Sequence, residues 1–176
     1  MNAEAEEIIT QLGLVPLPRE GGYFRQNWLS PHRLANGRPA GSGIWFLLTP
    51  GNFSALHRLQ AEESWCFFEG DPVEHVQLFR PAQSPGPVEG LDPAEGLARV
   101  QVLGPDLPSN HRQELLVPGG VWQGARILAC AQPRGWALMG CTMKPAWDEQ
   151  EFELGRQADL AREFPGALAW IRALTR

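Results

Sequence analysis

Residues 54–74 read "SALHRLQAEESWCFFEGDPVE", with one histidine, His57, six positions before Glu63 and then a nearly unbroken apolar run that stops at Gly70-Asp71-Pro72. The aromatic run Trp65-Cys66-Phe67-Phe68 and the closing turn residues mark strands rather than a helix. Strand side chains alternate faces, so Ala55, His57 and Leu59 share one face, and Glu63, Trp65 and Phe67 share another. If the segments on either side of Gln60–Glu63 pair as a tight hairpin, His57 and Glu63 become neighbours across the ladder. Such a pair has three uses: ligating a divalent metal, serving as a base with its orienting acid, or forming a buried hydrogen-bonded couple. Spacing leaves all three open.

Outward from this stretch the pattern continues. The runs "GIWFLL", "VEHVQLF", "ARVQVLG", "ELLVPGGVW", "ARILACA" and "WALMGCTM" recur between Gly, Pro and Asp clusters from about residue 23 to residue 144. Short strands at this spacing predict a β-sandwich or barrel. Before them, Ile8, Ile9, Leu12 and Leu14 follow a glutamate-rich turn and Gly13 offers a stop, so a short helix opens the chain. After them, the tail from Asp148 turns helical, with Leu154, Leu160 and Phe164 before Pro165 and Leu168, Ile171 and Leu174 beyond it, predicting two short closing helices. Residues 81–96, "PAQSPGPVEGLDPAEG", read as an exposed loop within one domain spanning residues 1–176.

Composition narrows the class of function. The 176 residues carry a net charge of -5 and no basic stripe, which argues against binding a nucleic-acid backbone. No apolar run approaches the length of a membrane helix. Cys66, Cys130 and Cys141 are odd in number and lack paired spacing, so neither a disulfide framework nor a thiolate metal site is expected. The acidic start "MNAEAEEIIT" lacks a basic leader and an apolar signal core, and the expected compartment is the cytoplasm.

Two further stretches carry candidate chemistry. In "LLVPGGVWQGAR", residues 115–126, Pro118-Gly119-Gly120 fits a tight turn, after which Trp122 and Gln123 point to opposite faces and one of them faces inward. In "PLPREGGYFRQNW", residues 16–28, the paired glycines after Glu20 permit a close backbone approach, with Tyr23 and Phe24 immediately following. Tyr23, the only tyrosine, is either a proton donor or an amphipathic lid residue. The tail tryptophans, Trp147 and Trp170, read as dimer or helix-packing residues.

The motifs "EGGYFR", "SALHRL" with "ESWCFFEGDPVE", "VPGGVWQGA" and "ALMGCTMKPAWDEQEFEL", in this order and over nearly the full chain, resemble a functionally unassigned branch of the cupin superfamily. The resemblance implies an all-β, double-stranded β-helix or jelly-roll barrel with a short N-terminal helix and C-terminal helices, commonly a homodimer, as in sugar-nucleotide epimerases, phosphomannose isomerase and germins. It also implies a metal site built from His-x-His, a later glutamate, and a histidine after Pro-x-Gly. Here His57 and Glu63 match, but Ala55 stands at the first histidine position and Gln123 at the last. No cofactor is therefore expected, and a weakly bound divalent metal would fall to His57, Glu63 and Gln123. The expected function is binding of a small polar or sugar-like metabolite, with isomerase or epimerase chemistry. Catalysis is assigned to His57, Glu63 and Tyr23, and ligand binding to Glu20, Phe24, Arg58, Trp65, Phe67, Trp122 and Gln123. A non-catalytic binding module and a metal-dependent enzyme are the alternatives.

Overall fold

The structure, a computed structural model, describes residues 2–80 and 97–176. The expected loop over residues 81–96 lies outside the described residues. In chain order the elements are α1 (Ala3–Leu12), β1 (Val15–Pro16), β2 (Tyr23–Leu29), β3 (Ser42–Leu48), β4 (Ser54–Arg58), β5 (Glu62–Gly70), β6 (Val73–Phe79), β7 (Leu97–Leu103), β8 (Glu114–Val117), β9 (Trp122–Ile127), β10 (Ala137–Lys144), β11 (Glu153–Leu154), α2 (Gln157–Glu163) and α3 (Leu168–Ala173). The strands form two antiparallel sheets, ordered β1-β2-β3-β10-β5-β8 and β11-β4-β9-β6-β7. They close face to face as a jelly roll.

Apolar side chains from both inner faces fill one end of the barrel, among them Phe46, Trp65, Val73, Phe79, Leu103, Leu115 and Met139. The outer faces are covered as well. Leu56, Val76, Leu78 and Trp122 pack beneath Leu160, Phe164, Ile171 and Leu174 of the C-terminal helices, while Ala5 and Leu14 pack on Leu47 and Trp136. Covering on two sides explains why β3 reads as a nearly continuous apolar run and why almost every residue of β4 and β6 is buried. Burying about ten of these large side chains supplies, at roughly 1.5–3 kcal/mol each, the main drive for closure.

Helix α1 starts where Asn2 Oδ1 accepts the Ala5 N–H at 2.9 Å and ends at Gly13, whose φ of 60° is the left-handed cap. The stop at Gly13 follows the sequence reading, and two closing helices are present, but the first begins only at Gln157: Leu154, expected within it, belongs to β11 and pairs with His57 of β4.

The hairpin expectation does not hold. β4 pairs with β9 and β11, whereas β5 pairs with β10 and β8, so the two strands belong to different sheets. Leu59–Ala61 carries the chain across the barrel from one sheet to the other. That crossover is seated on the Pro118-Gly119-Gly120 turn: Gly120 donates its N–H to Leu59 O at 2.7 Å. A Cβ on Gly119 would stand 2.1 Å from Gln60 O, which leaves room for no other residue there. The segment after the paired glycines also differs from a lid, since Tyr23–Leu29 is a full strand paired with β3.

Candidate functional site

Crossing the barrel places His57 and Glu63 opposite each other instead of side by side. On the inner face of the five-stranded sheet, β4, β9 and β6 bring His57, Gln123 and Gln77 into one register row. Glu63 reaches towards this row from the other sheet. His57, Gln123 and Gln77 are 2%, 0% and 1% exposed, and Glu63 is 7% exposed. Polar groups this deep require partners, and those partners define the site.

Glu63 Oε2 accepts two bonds, from Gln123 Nε2 at 2.7 Å and from Trp65 Nε1 at 3.0 Å. Gln123 is thereby oriented with its carbonyl towards His75, whose Nε2 donates to Gln123 Oε1 at 3.1 Å. This fixes His75 as the Nε2–H tautomer. Its Nδ1 is buried without a partner, as is Gln77 Oε1. Burial pushes the His75 pKa down to about 3, so the ring is neutral across the physiological range.

Burial acts on Glu63 in the opposite sense. It raises the pKa to about 7 against the opposing pull of His57 and the Gln123 and Trp65 N–H groups, with Glu20 adding to the rise. Because both donors land on Oε2, the proton of the neutral acid resides on Oε1. His57 is fixed by a 2.8 Å bond from Nδ1 to Ala55 O. A carbonyl only accepts, so Nδ1 carries the hydrogen and a neutral His57 presents a lone pair at Nε2. The nearest acid to Nε2 is Glu20 Oε2 at 4.0 Å, beyond hydrogen-bonding range. Glu20 Oε1 accepts from the buried Ser54 hydroxyl at 2.7 Å.

These groups line one cavity of about 310 Å³, towards the small end of small-molecule sites. Its inner wall holds Glu20, Phe24, His57, Glu63, Trp65 and Cys141, and its mouth Arg19, Trp147, Glu149 and Phe152. Phe152 stacks on His57 with centroids 5.5 Å apart, and the Arg19 guanidinium lies 4.9 Å from the Phe152 centroid. The Cys141 thiol is pushed well above its ordinary pKa by burial and then by Glu63 and Glu20, which keeps it protonated and a poor nucleophile. The Glu-Gly-Gly turn that brings Glu20 here depends on glycine: Gly22 has φ 77°, and a Cβ on it would meet the Phe46 ring at 2.7 Å.

Of the sequence-predicted residues, the structure therefore gathers Glu20, Phe24, His57, Glu63 and Trp65 at the cavity, with Gln123 bonded behind Glu63. Four fall elsewhere. Tyr23 packs against the α1 cluster on the outer face. Phe67 packs with the core and does not line the cavity. Trp122 lies beneath the C-terminal helices, and Arg58 covers its ring at 4.8 Å while bonding Glu153. The alternation that turns Gln123 inward necessarily turns Trp122 outward. Trp147, expected at an interface or against a helix, is at the cavity mouth. His75 and Gln77 were not among the candidates, although in "VEHVQLF" they share one face opposite Val76 and Leu78. Two polar residues in register on a strand this apolar were the available signal.

The residues present do not fit a divalent metal. Gln123 directs its N–H at Glu63 and has its oxygen engaged by His75, and Glu63 Oε2 is taken by N–H donors. Among the described residues no cluster of three or more His, Cys, Asp or Glu side chains is placed to hold a metal ion.

Two facing antiparallel sheets around a polar cavity, with the histidine–glutamate and Pro-x-Gly motifs meeting inside, define a cupin barrel. The family model described as Cupin superfamily (DUF985) matches residues 6–155, and this chain belongs to that family. It is similar to a solved protein from Shewanella oneidensis (31% identity, TM-score 0.81, covering 100% of this chain and 98% of that one). A hypothetical protein from Leishmania major is comparable (32% identity, TM-score 0.84, covering 97% and 98%). A cupin-2 domain protein from Rhodospirillum rubrum shares the fold at 18% identity and TM-score 0.57, over 93% of this chain and 89% of that one. No curated protein matches the chain. Among the described residues no helix is long and apolar enough to cross a membrane.

Proposed function

We propose that the barrel binds a small polar metabolite and moves a proton within it, as an isomerase or epimerase does. The observation that carries this reading is the meeting at one cavity of a His57 ring held through Nδ1, with Nε2 left free, and a buried Glu63 carboxyl whose pKa burial raises to about 7. In a bound ketone, the C–H bond next to the carbonyl breaks as its proton passes to His57 Nε2. The carbonyl oxygen takes the Glu63 Oε1 proton, giving an enediol or enol. Returning the protons to the neighbouring carbon or to the opposite face completes an isomerisation or an epimerisation. Glu63 suits the acid role, since a group with a pKa near 7 is half protonated where the reaction runs. Tyr23, packed on the outer face, has no part in this scheme.

The test is solvent-deuterium incorporation, followed by NMR, into a panel of hydroxyketones, aminoketones and keto-sugars. Incorporation next to the carbonyl is expected, falling by about 10²–10⁴-fold in His57→Gln and Glu63→Gln. A second reading, a binding module without turnover, rests on the aromatic walls formed by Phe24, Phe46, Trp65 and Phe152. Compounds that raise the melting temperature but exchange no proton would select the module.

A further inference from the structure

At the inner wall of the cavity Glu20 Oε2 and His57 Nε2 accept, the donors there are the uncharged Cys141 thiol and Glu63 in its protonated form, and this restricts what can enter. Among the described residues no hydrogen-bond donor reaches Glu20 Oε2; its neighbour is His57 Nε2 at 4.0 Å, itself an acceptor in the neutral ring. Glu63, 7% exposed, accepts both of its bonds through Oε2 and leaves Oε1 towards the cavity. Two carboxyl groups therefore stand at the inner wall, and among the described residues no Lys or Arg side chain bonds either carboxyl, the Arg176 guanidinium instead donating to the Glu20 backbone carbonyl at 3.3 Å. The one arginine of the lining, Arg19, is exposed, its guanidinium over the Phe152 ring, and the exposed Glu149 brings the opposite charge to the same lining. Phe24, Trp65 and Trp147 add aromatic side chains to the same lining. An anion entering here meets like charge in a poorly screened space and finds no cationic donor at the inner wall to replace its water. A cation meets carboxylates and aromatic faces together.

We propose that the cavity takes a small organic cation, a protonated amine or amidine on a compact apolar body, and rejects carboxylates and phosphate esters. This rests on the reading of the cavity as a ligand site and narrows it, separating this chain from a sugar-nucleotide enzyme. In this arrangement the ligand's N–H groups bridge the gap between Glu20 Oε2 and His57 Nε2, while its apolar part lies against Trp65 and Phe24.

Benzylamine, benzyl alcohol and benzoate form a series of one shape and three charges. Binding of each is followed at pH 7.5 by the fluorescence of the cavity tryptophans and by thermal shift. Benzylamine is expected to bind about tenfold or more tighter than benzoate, with the alcohol between them. Glu20→Gln should remove most of that advantage and leave the alcohol within about twofold. The exposed Arg19→Gln should weaken benzoate further, an independent reading should Glu20→Gln not fold. Benzoate binding as well as or better than benzylamine overturns the cation proposal but leaves the ligand cavity standing. Absence of binding by all three overturns both.

Discussion

Gln123 shows how a single side chain sets the state of a site it does not line. Its amide holds Glu63 with one end and His75 with the other, so neither neighbour can turn without losing a buried bond. Replacing it with leucine removes a donor from Glu63 and strands the His75 N–H. The expected cost is about 1–3 kcal/mol of stability in urea unfolding, that of an unsatisfied buried polar group. Since the lost N–H favoured the charged carboxylate, the Glu63 pKa should rise above about 7, read by NMR on carboxyl-labelled glutamate. An unchanged or lowered Glu63 pKa would show that the amide does not stabilise the carboxylate.

At the level of elements, alternation along each strand was enough to turn His57, Glu63 and Gln123 inward, and the recurrence of short strands was enough to read a barrel. Partnering was not readable. A three-residue link between two strands serves a hairpin and a sheet-to-sheet crossover equally well, and the difference lies in contacts with a turn some sixty residues away. Tyr23 and Arg58 suggest chemistry by residue type, but the face each occupies follows from strand partnering, which residue type does not carry. The crossover yields its own prediction. Gly119→Ala drives a methyl into Gln60 O, where only backbone can yield, so it should destabilise the fold by at least about 1–3 kcal/mol. Because the same turn positions His57 and Glu63, cavity ligands should weaken in parallel. Full stability of Gly119→Ala in urea would refute the tight seating of the crossover.

For the molecule as a whole, the two buried titrating groups pull its stability in opposite directions with pH. Glu63 holds its proton in the folded state up to about pH 7 but loses it near 4.5 when unfolded, so the folded state binds the extra proton and stability falls as pH rises through that window. His75 stays neutral when folded down to about pH 3 and protonates near 6.5 when unfolded, so its contribution is lost as pH falls below 6.5. Between pH 4.5 and 6.5 the two slopes nearly cancel in the native protein, and removing either exposes the other. Relative to the native protein, Glu63→Gln should gain stability by about 3 kcal/mol as pH rises from 4.5 to 7, while His75→Gln should lose about 3 kcal/mol as pH rises from 4.5 to 6.5. The surface ion pairs are common to all three proteins and drop out of the differences. Urea unfolding at several pH values across this range supplies the measurement. Opposite signs for the two variants are the required result, because same-signed slopes would mean that one of these groups is solvated and that the polar row is open to water.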